Sequence, residues 1–265
     1  MYWPTSFCER LNSSKRWRIS SDRVRAVVPV RVTHGFFGGR RGVPSAGARG
    51  SVPVVILYDH PSSGNCMKAR ILLRQLEIPY ERVTVDLFKG ETRSAVHFAR
   101  NPDGRIPVLE IDSGETIPES GAILLHLAAG TPYLPEDGTL ERTRVHQWML
   151  FEQGRIEGEL AYARFLRLSN RADRMPEVFA NRVERGADAL AALDRGLSDG
   201  RRFLAGDSYT VADVALYAYV HCAHDAGVDE RAHEHVASWL DRVEATPRFE
   251  NDLEPVPAHA SDRPI

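Results

Sequence analysis

Cysteine is scarce: Cys8, Cys66 and Cys222 are the only three in 265 residues, an odd number set far apart. Such a set makes no disulfide framework and fits a reducing compartment, so the cytoplasm is the expected location. No apolar run approaches the ~20 residues needed to span a bilayer, which removes a membrane-spanning reading. Net charge is nearly absent as well: 34 basic against 36 acidic residues leave -2, which gives the whole chain no electrostatic claim on nucleic acid. There is no internal repeat and no His-Glu-x-x-His pattern. Of the ten histidines, His221, His224, His233 and His235 lie nearest together, and they read as surface and core residues with no metal site expected.

What is present is an ordinary globular composition, 43% hydrophobic and 26% charged, in a chain long enough for one large domain or two modest ones. Charge is unevenly spread. Residues 1–53 carry ten Arg or Lys against only Glu9 and Asp22, show neither helical nor strand periodicity, and cannot bury enough apolar surface to offset their ordering entropy. Arg-rich, Ser-containing and acid-poor, this arm has the composition of an organelle transit peptide. The preferred alternative is a translation start placed too far upstream, with the folded protein beginning near Val52 or Val54. Either way residues 1–53 are expected to be disordered and dispensable.

From residue 54 the pattern is strand (54–58), helix (67–77), strand (80–86), short helix (91–98), a hairpin of two strands (108–111 and 115–117) about Asp112-Ser113-Gly114, and a helix (119–129) stopped by Gly130. This βαβ-α-ββα order predicts a small mixed sheet with helices, an α+β domain over 54–130. A linker, 131–139, follows, and strand signals then vanish. Residues 140–168 read as one long helix that Gly154 and Gly158 can bend. Phe179, Val183, Ala187, Leu190 and Leu197 place an apolar stripe on the next helix. Thr210 and Asp213 form a capping box for a helix apolar nearly all round, the centre of an all-α bundle over 140–250. Residues 251–265 are expected to be a flexible tail.

Chemistry gathers in three places of the first domain. Ser63, in Ser63-Gly64-Asn65-Cys66, stands at the start of the first helix, where unpaired N–H groups and the helix dipole favour negative charge; its hydroxyl can stabilise a bound thiolate, and the Asn65 amide can donate to the same sulfur. Cys66 occupies the second position of a Cys-x-x-Cys pair whose first sulfur is missing, so it reads as a buried apolar residue. Ile106-Pro107, with a cis bond, would present the Ile106 N–H and C=O to an extended peptide. Glu119 and Ser120 open a helix: backbone N–H and the Ser120 hydroxyl can seat a carboxylate while Glu119 pairs an ammonium, and Lys89 and Arg105 can reach a second carboxylate. Read alone, each has a plainer meaning: a helix cap, a turn proline, a helix N-terminal turn, a solvated cation. Read in order, they are what a thioredoxin-like domain needs to hold a small thiol.

These segments resemble the glutathione transferase family. The resemblance runs from about Val54 to Arg248. It rests on Leu57-Tyr58-Asp59-His60-Pro61-Ser62-Ser63, on Asn101-Pro102-Asp103-Gly104-Arg105-Ile106-Pro107-Val108-Leu109, on Pro118-Glu119-Ser120 with Ile123-Leu124, and on the stretch from Phe203 through Asp207 to Asp213. It implies a thioredoxin-like domain followed by an all-α helical bundle, paired as a homodimer, with glutathione as co-substrate. Ser63 would then activate the thiol, Ile106 hold the cysteinyl backbone, and Glu119 with Ser120 the γ-glutamyl end. A small hydrophobic electrophile or a disulfide would lie against Trp148, Phe151, Tyr162 and Phe165, with core packing preferred for Trp148. The chain departs from the family pattern in its basic arm and in lacking a catalytic tyrosine, since Tyr58 lies inside the strand. Asn65 resembles bacterial members that reduce small disulfides. The expected function is thiolate attack on a small electrophile, with glutathione-dependent disulfide reduction or a non-catalytic binding role as alternatives.

Overall fold

In the computed structural model, which describes residues 55–261, the first strand, β1 (Val55–Asp59), runs directly into a turn and helix α1 (Gly64–Gln75). The expectation about residues 1–53 lies outside the described residues. Strand β2 (Tyr80–Thr84) pairs parallel to β1, as a βαβ crossover requires. Helix α2 (Ala95–Arg100) follows, then β3 (Val108–Glu110) and β4 (Thr116–Pro118), both antiparallel, giving a four-stranded sheet in the order β2-β1-β3-β4. Leu57 and Leu109 sit opposite each other in register and bury one face of the sheet against Ala69 and Leu73 of α1 and Ile123 of α3 (Ser120–Ala128); Tyr58 and Val108 serve the other face.

Element identities match the sequence reading, and the boundary differences have local causes. Helix α1 begins three residues earlier than the apolar pattern, because the Ser63 side chain accepts the Cys66 N–H and fixes the first turn there. The helix expected at 91–98 is divided: a 3₁₀ turn, Glu91–Arg93, ends where Ser94 caps α2 through the His97 N–H.

The second domain is helical throughout its described length. Helix α4 (Leu140–Phe151) passes without a break through a π-helical stretch (Glu152–Ala161) into α5 (Tyr162–Leu168), so the two glycines widen the helix instead of kinking it. Helices α1 and α4 and the π-helical stretch pack around α7 (Val211–Val220), every residue of which is buried, with α8 (Glu234–Glu244) against it, while α6 (Pro176–Leu197) packs on the π-helical stretch and α8. The Asp213 carboxylate at its start accepts from Thr210 N (2.9 Å) and Oγ1 (3.1 Å), Leu204 N (3.0 Å) and Trp239 Nε1 (2.9 Å), so the capping aspartate also pins α8 and the preceding loop.

Two packing features differ from expectation. Helix α1 is buried on both sides: Leu73 faces the sheet while Met67, Ile71 and Leu72 join the core of the helical bundle. The flexible tail expected from residue 251 does not describe residues 251–261. Asp252 pairs with the buried Arg70 (2.9 Å), the Glu254 N–H donates to the Pro61 carbonyl (3.2 Å), and His259 Nε2 lies 3.0 Å from Asp86 Oδ2. Arg70, already paired with the buried Asp59 at 2.9 Å, takes Asp252 as a second carboxylate, and these contacts tie the segment down.

Candidate active site

The turn from β1 into α1 is short, and it brings Ser63 to the helix start: Ser63 N donates to the His60 carbonyl (3.0 Å). The Ser63 Oγ accepts the Cys66 N–H at 3.3 Å, which leaves its own proton free to donate. Gly64 follows because nothing larger fits, since a Cβ there would lie 2.7 Å from the ring of Tyr219 on α7. Cys66 is fully enclosed and burial pushes its thiol up to about 12, which fits an apolar packing residue and gives no redox thiolate.

The Ile106–Pro107 bond is cis, and among the described residues the Ile106 N–H and C=O have no hydrogen-bond partner. The residue before it is held in place: the Arg105 carbonyl accepts from His97 Nε2 (2.9 Å) and Asn101 Nδ2 (3.0 Å). Sequence reasoning missed both holders, although Asn101 belongs to a quoted motif. Glu119, exposed, has φ 71° and ψ 116°, a region that non-glycine residues avoid.

Ser63, Arg105 and Ile106 line one cleft of about 320 Å³ together with Ser62, Phe88, Arg164, Phe165, Tyr219 and Val256. Its apolar wall is a stack of Phe88 on Phe165 at 6.4 Å, with Tyr162 beyond at 6.5 Å. Of the four expected aromatic residues, Phe165 alone is in the lining; Trp148 is buried in the bundle core with Phe151 against it, as the preferred reading had it. His60 sits behind the cleft, edge-on to Phe88, and its Nδ1 accepts from Ser62 N (3.3 Å) and Oγ (2.9 Å). Burial holds the His60 imidazole below its ordinary pKa, against the pull of Asp86 and Asp59, so it is neutral at pH 7.

The remaining expected residues do not join this lining. Asn65, expected to donate to the bound sulfur, has its Nδ2 on Glu157 Oε1 at 2.8 Å, because the π-helical stretch brings an acceptor to that side of α1. Ser120 is buried, and its hydroxyl is shared between Lys68 Nζ (3.4 Å) and Asn65 Oδ1 (3.5 Å), so the carboxylate seat at α3 reduces to backbone N–H groups. Lys89 is exposed on Asp86 (3.3 Å), and Arg105, which does line the cleft, is exposed at its edge on Asp103 (2.6 Å).

Beneath the site lies a cluster invisible in the sequence. Lys68, fully buried, meets Glu152 at 2.8 Å and Glu157 at 3.3 Å. Burial pulls the Lys68 ammonium down, but the two carboxylates more than offset it and the net direction is up. One ammonium cannot answer two carboxylates, and burial lifts the carboxyl of Glu152.

Comparison with known proteins places these features in context. The family model described as glutathione S-transferase, N-terminal domain, matches residues 53–129, and that for the C-terminal domain matches residues 176–242. Glutathione S-transferase 4 of Zea mays is 30% identical over 208 residues, covering 74% of this chain and 91% of that protein. The disulfide-bond oxidoreductase YfcG of Escherichia coli K12 is 27% identical over 203 residues, 73% of this chain and 92% of that protein. A solved glutathione S-transferase from Pseudomonas fluorescens Pf-5 aligns with TM-score 0.73 and 38% identity, over 77% of this chain and all of that one.

Proposed function

The chain belongs to the glutathione S-transferase family, and from that premise we propose that it binds glutathione in the cleft beside Ser63 and directs its thiolate at a small electrophile. One observation carries the proposal: Ser63, whose hydroxyl caps the start of α1, and Ile106, whose backbone groups are unpaired among the described residues, line the same cleft. The Ile106 groups would clasp the cysteinyl backbone as an added strand, and the Ser63 hydroxyl and the start of α1 would favour the thiolate. The N–H groups at the start of α3 would seat the γ-glutamyl carboxylate, with Glu119 on the ammonium and Arg105 and Lys89 toward the glycyl end.

In conjugation the sulfur lone pair forms a C–S bond while a leaving group departs with its electrons. The enzyme's contribution would be thiolate stabilisation and alignment, with no covalent enzyme intermediate. The likeness to the E. coli oxidoreductase supports a second reading, disulfide reduction. There the thiolate would attack one sulfur of a disulfide and expel the other as thiolate, and a second glutathione would resolve the mixed disulfide, since Cys66 is too deeply buried to do so.

The test is calorimetric titration of the full chain with glutathione, followed by parallel assays with an aromatic halide and a mixed disulfide. Saturable binding with turnover of either acceptor supports the proposal and decides between the two reactions. Binding without turnover leaves the non-catalytic role. Absence of binding removes both chemistries.

A further inference from the structure

The helical-domain wall of the cleft holds a cation that thiol binding does not use. Arg164 of α5 is nine-tenths buried: its Nε donates to Asp225 Oδ2 at 2.8 Å and one terminal nitrogen reaches the Ser62 carbonyl at 3.4 Å. Its other terminal nitrogen, Nη2, has no hydrogen-bond partner among the described residues. The side chain lines the cleft beside Phe165, the next residue, and faces the turn that carries Ser63. Among the described residues lining the cleft, Arg93 and Arg105 add positive charge at the loop side and none is an aspartate or glutamate. Arg93 leans on Phe98 and donates to the Asp103 carbonyl, and Arg105 is exposed on Asp103, so these two mark the outer edge.

A buried guanidinium differs from such surface cations in two ways. Its charge acts through a medium less polar than water, and its fork is already oriented, so little entropy is lost when a ligand oxygen meets it. The aromatic stack of Phe88 and Phe165 offers the complementary surface for a flat apolar body.

We propose, resting on the thiolate reading above, that the acceptor is an anionic aromatic electrophile: a ring that lies on Phe165 and Phe88, bearing a carboxylate that Arg164 receives. Arg164 then determines specificity, and the reacting carbon is held toward the sulfur at Ser63. For an aryl halide the sulfur bonds to the ring carbon, chloride leaves with the C–Cl electron pair, and the carboxylate is untouched.

The experiment uses 4-chloro-3-nitrobenzoate and its methyl ester, which differ at the carboxyl group alone. Titrated into the full chain without glutathione, the acid should bind at least tenfold more tightly than the ester, the lower bound for a hydrogen-bonded charge pair. With glutathione present the same preference should appear in kcat/KM once each value is divided by the rate constant of that compound's uncatalysed reaction with glutathione, because the ester activates the ring more than the carboxylate does. R164Q should bring the acid-to-ester ratio near one, R164K should keep part of it, and D225N, which releases the guanidinium, should raise it. Equal or reversed preference in the wild type overturns the proposal, as does an R164Q protein that is folded by circular dichroism and keeps the wild-type ratio. If R164Q does not fold, an unchanged or lowered ratio in D225N overturns it instead. Preference for the acid in a chain that does not bind glutathione would sink the thiolate reading and leave only Arg164 as the seat of an aromatic carboxylate; glutathione turnover with no preference would keep the thiolate reading and overturn the role of Arg164.

Discussion

Replacing Ser63 by glycine removes one hydroxyl and little else. Its Oγ accepts the Cys66 N–H at 3.3 Å, so the substitution touches both the cap of α1 and the donor proposed for a bound sulfur. The two effects differ in size. Glycine at an N-cap costs only a few tenths of a kcal/mol relative to serine, whereas alanine costs about 1 kcal/mol. A donor directed at developing or settled negative charge is worth about 10²-fold in rate. Ser63→Gly should therefore melt almost with the wild type and turn over about 10²-fold more slowly, while Ser63→Ala loses the same rate and about 1 kcal/mol of stability besides. The sign in pH follows. A hydroxyl that favours the thiolate lowers the pKa of the bound thiol, so its loss moves the acid limb of kcat upward by as much as about two units. Ultraviolet titration of the thiolate in the glutathione complex reads this shift directly, and urea melts read the cap. A glycine variant with wild-type turnover and an unmoved thiol titration would refute the assignment of Ser63.

Three further outcomes are expected. Glu119→Gly relieves a positive φ, so urea denaturation should find it as stable as the wild type or about 1 kcal/mol more so, while calorimetry finds glutathione bound about tenfold more weakly; undiminished affinity would mean that the strained glutamate does not meet the ligand. Lys68→Met leaves Glu152 unpaired in the interior, while Glu157 keeps the Asn65 amide, and should cost about 3–5 kcal/mol, with part recovered in the Lys68→Met, Glu152→Gln double variant; a loss under 1 kcal/mol would show that water reaches the cluster. Burial lowers His221 to about 4, so an unfolded chain takes up that proton first as pH falls below ~6.5. Stability should drop by about 2–3 kcal/mol between pH ~6.5 and ~4, and His221→Phe, which keeps the stack on Tyr217, should flatten that part of the curve. An unchanged acid limb would assign it to other groups.

Residues whose meaning is local were readable in the chain. The strand of 55–59 is an apolar run between turn residues, the hairpin around Gly114 needs the positive φ that glycine supplies, and Thr210 with Asp213 spells a cap three residues apart. Ser63 and Ile106 were found because helix starts and pre-proline edges carry their chemistry in the backbone. For Asn65 the sequence neighbours point to the sulfur site and say nothing of Glu157, the acceptor 92 residues away that its amide meets. Nothing beside Lys68 and Arg70 in the chain marks them as buried. Their burial could be seen only when the bundle closed over α1 and brought Glu152, Glu157 and Asp252 to them.

The order of elements, the family, the hydroxyl proposed to activate the thiol and the proline edge are all legible in the chain alone, because helix caps, turns and hydrophobic periods are interactions among near neighbours. Only the tertiary structure decided which charges are buried, that Arg164 and Phe165 share a cleft with Ser63, and that the segment after Asn251 lies along α1. Those facts depend on groups far apart in the chain. A charge enters the interior only where its partner arrives with it, and the meeting of partners is a property of the packed fold.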